Sequence, residues 1–62
     1  MKSGDKVRVN ERADKSYQGL VGVIYGDAYI NLASHPTDPI YPVLLKDGFV
    51  HNLFAYKLDV IE

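Results

Sequence analysis

Hydrophobic positions along the chain come in short alternating runs separated by glycine, proline and acidic residues. From Lys6 to Val9, Val7 and Val9 point one way while Lys6, Arg8 and Asn10 point the other, the period-2 mark of a half-buried strand. Asn10–Ser16 is polar and carries no helical apolar stripe, which predicts an exposed loop. A second strand spans Leu20–Tyr25, with Gly19 and Gly22 bracketing its start. Glycine inside a strand marks a bulge, a bend or a close backbone approach, and a very small barrel must bend its strands sharply to close. Val21 and Val23 are the inward pair in this reading; the opposite phase turns Leu20 and Ile24 inward instead. Gly26-Asp27 reads as a turn, and Ala28–Ala33 alternates again, with Ile30 or Leu32 facing the interior.

Pro36 and Pro39 remove backbone donors and fix φ, so Ser34–Pro39 is predicted as the longest loop, neither helix nor central strand. Tyr41–Lys46 is the strongest strand signal. Asp47-Gly48 supplies a two-residue hairpin turn with both residues at positive φ, and Phe49–Leu53 returns from it. Phe54–Lys57 fits one tight helical turn, and Leu58–Ile61 is the last strand. The whole pattern predicts an all-β fold: a small antiparallel barrel of five or six strands, one domain over residues 1–62. Its core is expected to hold Val7, Val9, Val21, Val23, Ile30 or Leu32, Val43, Leu45, Phe54, Leu58 and Val60.

The run Gly4-Asp5-Lys6-Val7-Arg8-Val9, followed by Gly19 and Gly22 three apart and then Val23-Ile24, resembles the KOW-type barrels of ribosomal and transcription factors. The C-terminal half, with Tyr41-Pro42-Val43-Leu44-Leu45, Phe49, Asn52-Leu53-Phe54-Ala55 and Leu58-Asp59-Val60-Ile61, is similar to the electron-transport accessory barrels, photosystem I subunit IV and the variable chain of ferredoxin–thioredoxin reductase. Both groups belong to the Src-homology-3-like barrels. The resemblance implies that fold, and either RNA binding or docking on a larger complex as a protein-binding accessory subunit. KOW barrels carry more Lys and Arg around the glycine loop, where Gln18, Leu20 and Val21 stand here.

Charge bears on that choice. Seven basic and eight acidic residues give a net charge of −1, so the chain lacks the basic excess that drives nonspecific nucleic-acid affinity through counterion release. Lys6, Arg8, Arg12 and Lys15 nevertheless crowd the first fifteen positions and are the candidate nucleic-acid contacts. The chain has no cysteine, which excludes disulfides and thiolate metal ligands. His35 and His51 are too sparse for a metal site, and the aspartates fall at turns, where local hydrogen bonding favours them. No catalytic set, metal or cofactor is therefore expected. No apolar run approaches the roughly 20 residues that span a bilayer, and no leader segment is visible, which predicts a cytoplasmic protein that is not inserted in a membrane. Five of the seven aromatic residues are tyrosine, a residue enriched at binding surfaces. Tyr17, Tyr56 and the Pro-rich loop with His35 are the candidate protein-binding positions. A non-catalytic docking module is the leading expectation, and an RNA-binding barrel is the alternative.

Overall fold

In the computed structural model, residues 1–61 are described, apart from the side chain of His35. Six antiparallel strands form one curled half-barrel sheet: β1 (Lys6–Val9), β2 (Val21–Ile24), β3 (Tyr29–Asn31), β4 (His35–Leu45), β5 (Val50–Phe54) and β6 (Leu58–Val60). A single 3-10 turn, Ala55–Lys57, joins β5 to β6. The sheet order is β3-β4-β2-β1-β6, with β5 paired to β4. Leu44 pairs with both Val23 and Val50, and Ile40 with both Tyr29 and Phe54. Hence β2 and β3 succeed one another along one edge of β4, and β5 takes the other edge.

The core lies on the concave side. Val7, Val9, Ala13, Ile24, Val43, Leu45, Leu53 and Leu58 are buried, and Tyr17 and Tyr41 pack against them. The alternation read in β1, at Val43 and Leu45, and at Leu58 therefore holds. The phase of β2 is the reverse of the leading expectation: Ile24 and Gly22 face inward, while Val21 and Val23 are half-buried on the outer face. The reason is steric. Gly22 stands opposite Val7 and Leu45, and a Cβ there would lie 2.5 Å from the Leu44 carbonyl oxygen and under 3 Å from the side chains of Leu45 and Val43. Only glycine lets β1, β2 and β4 approach this closely, so the sheet curls at this point.

Other core expectations are corrected as well. Leu53 is buried and Phe54 only half-buried, because Leu53 is the residue opposite inward-facing Tyr41. Ile30 and Leu32 are exposed, the latter at 79%, because β3 pairs with the N-terminal half of β4 and none of its residues reaches the core. Val60 faces Val7 but remains 47% exposed, since β6 closes the strand order at a free edge. In the first loop Ala13 is buried, so that segment is not wholly exposed.

The Pro-rich segment is strand, not loop. Pro39 lies opposite Ile30 and His35 opposite Asn31, and the pairing shifts register between Ile30 and Asn31, as proline is tolerated at edges and bulges. Pro42 sits where β4 exchanges β2 for β3. Its carbonyl accepts the Tyr25 N–H at 2.8 Å, and its missing donor falls at this change of partners. The hairpin between β4 and β5 also differs from expectation. Gly48 donates to the Leu45 carbonyl at 3.0 Å, and Leu45 donates to Phe49 at 3.2 Å. Gly48 alone has positive φ, at 86°, so Lys46–Gly48 form a three-residue loop with a glycine bulge. Asp47 stays out of the left-handed region and instead accepts the Phe49 N–H on its carboxylate at 2.9 Å.

Candidate functional site

The first loop is ordered by its own hydrogen bonds. Tyr17 and Gln18 N–H both donate to the Asp14 carbonyl, and Gly19 donates to Val9 at 2.8 Å. The Gln18 side chain donates to the carbonyls of Ala13 at 2.8 Å and Glu11 at 3.2 Å, and Asn10 Oδ1 accepts from the Arg12 N–H. These bonds fold the loop back over β5. Between them is a cleft of about 210 Å³, walled by Ala13, Asp14 and Tyr17 on one side and by Asn52, Leu53, Phe54 and Lys57 on the other. The rings of Phe54 and Tyr56 stack at 5.4 Å and 15°. Lys57 Nζ lies 5.5 Å from the Phe54 ring centre and 5.9 Å from that of Tyr56, within range of cation–π attraction.

Tyr17 is fixed from behind. Its hydroxyl is 3.2 Å from His51 Nδ1, and the two rings meet edge-on at 5.4 Å. His51 Nε2 is 2.8 Å from Asp47 Oδ2. The Phe49 N–H and then the His51 ring hold the Asp47 carboxyl below the usual carboxylate range. An ionised carboxylate only accepts, so the His51 proton sits on Nε2 in the neutral ring and Nδ1 accepts from the Tyr17 hydroxyl. A chain of three side chains thus runs from the β4–β5 hairpin to the cleft wall and sets the orientation of the Tyr17 ring.

The predicted site residues fall in different places. Tyr17 walls the cleft; Tyr56, 42% exposed, does not line it but stacks on Phe54, which does. The side chain of His35 lies outside the described residues; its backbone begins β4, on the strand that pairs with β3. Lys6 and Arg8 lie exposed on the outer face of β1, whereas exposed Arg12 and Lys15 belong to the first loop. Arg8 lies opposite Asp59 in the sheet register, whose carboxylate accepts from the Asn10 side chain at 3.3 Å. The sequence reading missed Asp47 and His51. Their four-residue spacing across a turn was the only signal, since Tyr17 is 34 residues from His51. Among the described residues no group of three or more His, Cys, Asp or Glu is placed to hold a metal ion, and no helix is long and apolar enough to cross a membrane. Comparison with protein-family models, with curated proteins and with solved structures returned no match.

Proposed function

We propose that this protein is a non-catalytic interaction module of the Src-homology-3-like class that docks on a larger protein complex. The cleft between the first loop and the β5/3-10 corner would take an extended segment of the partner. The observation that carries this reading is the cleft itself, where Tyr17 and Phe54 offer aromatic surface and Asp14, Asn52 and Lys57 offer polar groups, with Tyr56 stacked on Phe54. Aromatic rings contribute large contact area at small conformational cost, and a few placed polar groups give orientation. The strand order and the 3-10 turn between β5 and β6 support the barrel assignment. The split of the four candidate basic residues between the outer face of β1 and the loop favours protein over RNA.

The test is selection of binding peptides from a random display library, followed by amide NMR titration of the selected sequences. Binding is expected to move the amides of Ala13, Tyr17, Leu53 and Phe54, and Tyr17→Ala/Tyr56→Ala is expected to abolish it while the spectrum stays folded. Failure to select any peptide would overturn the proposal. So would salt-sensitive shifts at Lys6, Arg8, Arg12 and Lys15 with short RNA, which would establish the nucleic-acid reading.

A further inference from the structure

Docking uses the ring of Tyr17 and leaves its hydroxyl without a role. That hydroxyl sits in the arrangement that activates a nucleophile: a base within hydrogen-bond reach, and a third group that orients the base. The Tyr17 oxygen lies 3.2 Å from His51 Nδ1, and His51 Nε2 lies 2.8 Å from Asp47 Oδ2. The carboxylate holds the proton on Nε2, so the unprotonated nitrogen is the one that faces the phenol. The edge-on packing of the two rings fixes their relative orientation. Neither end of the chain is sealed, since Asp47 is exposed and Tyr17 lines the open cleft. The other tyrosines lack this support. Tyr41 donates to the Met1 carbonyl at 3.4 Å, which is not a base, and Tyr25, Tyr29 and Tyr56 are exposed. Among the described residues, Tyr17 alone has its hydroxyl on an imidazole.

We infer that Tyr17 is a covalent modification site, whose hydroxyl takes an acyl group from an activated acyl donor with His51 as general base. The phenol oxygen attacks the donor's carbonyl carbon and forms the new C–O bond. Its proton passes to His51 Nδ1, and the resulting imidazolium faces the Asp47 carboxylate through Nε2, which stabilises it. The bond from the carbonyl carbon to the leaving group then breaks, and the electron pair departs with that group. The proton on Nδ1 follows it, so His51 returns to its starting form. The products are acylated Tyr17 and the protonated leaving group, and no other reactant is consumed. The acyl group is then carried on the wall of the cleft. The chemistry rests on the three side chains and does not depend on what the cleft binds.

The test treats the whole chain with acetylimidazole at neutral pH and locates the acetyl groups by peptide mass spectrometry at low conversion. Tyr25 is the internal control, being the most exposed tyrosine at 62%. Tyr17 is expected to react at least about tenfold faster than Tyr25, a modest share of what a positioned general base supplies. Deuterium oxide is expected to slow Tyr17 more than Tyr25, because only the former transfers a proton as the bond forms. In His51→Asn the preference for Tyr17 is expected to vanish while Tyr25 reacts as before, with the amide spectrum reporting the fold. Labelling that simply follows exposure, with Tyr25 ahead of Tyr17, would overturn the inference. So would equal isotope effects at the two residues, or an undiminished preference in folded His51→Asn. The first two readings are made on the parent protein and hold whatever the substitution does to folding.

Discussion

Single residues decide how tightly this sheet curls. Gly22 is required by contact distance, not by backbone conformation: the space for its Cβ is already filled by the Leu44 carbonyl and by two core side chains. Gly22→Ala is therefore expected to destabilise the fold by about 1–3 kcal/mol, the usual cost of overpacking, and urea denaturation would measure it. The Asp47 carboxylate is the other decisive group. Its pKa is lowered in the folded state, first by the Phe49 N–H and then by His51. A group with a depressed folded pKa contributes stability that is fully present above its unfolded value and is lost as pH falls through the folded value. The Asp47 contribution should therefore begin to decline below about pH 3.8, the ordinary value for this carboxyl, and be lost as the pH passes its lower folded value. Asp47→Asn should lower the midpoint of thermal unfolding at pH 7 and narrow the gap from the parent protein as the pH falls toward 2.5. A gap that stayed constant across that range would show that the carboxylate charge has no part in it.

At the scale of elements, the strands were legible wherever apolar and polar residues alternate. In β1, Val7 and Val9 alternate with Lys6 and Arg8, leaving one possible phase. In β2, every residue from Leu20 to Ile24 except Gly22 is apolar, so either phase fits until its neighbours are in place. The Pro-rich stretch misled because proline excludes only central pairing. Here β4 runs past the barrel with β3 alone along Pro39, and a register shift absorbs the irregularity. The β4–β5 hairpin shows a similar lesson, since Asp-Gly suits more than one turn type and the loop proved one residue longer than read. Gly48 holds φ of 86° with open space around its Cα. Gly48→Ala should therefore cost about 1 kcal/mol through backbone strain alone. Thermal unfolding would show a modest fall in midpoint with an otherwise native spectrum.

The whole molecule is small enough that eight buried side chains carry most of its stability. A chain of this length is expected to be stable by about 3–9 kcal/mol. Ile24→Ala, at one of the most completely buried positions, should cost about 2–5 kcal/mol and leave a large unfolded fraction visible by circular dichroism. Leu32→Ser, at the most exposed large hydrophobic position, should change stability by no more than about 0.5 kcal/mol. If the two variants were equally stable, the placement of the core would be refuted. The candidate cleft was legible only in part, because Tyr17 and Tyr56 announce themselves as loop and turn tyrosines. The His51–Asp47 support behind Tyr17 could not be read, since it depends on a hairpin and a distant loop meeting in space. The sequence by itself determined the all-β class and the inward faces of β1, of Val43 and Leu45, and of Leu58, because local alternation and turn chemistry act over a few residues. Only the tertiary structure decided the phase of β2, the strand character of the proline segment, and the cleft between the first loop and β5. Those depend on which backbone approaches which, and a one-residue shift in a strand reverses every side chain it carries.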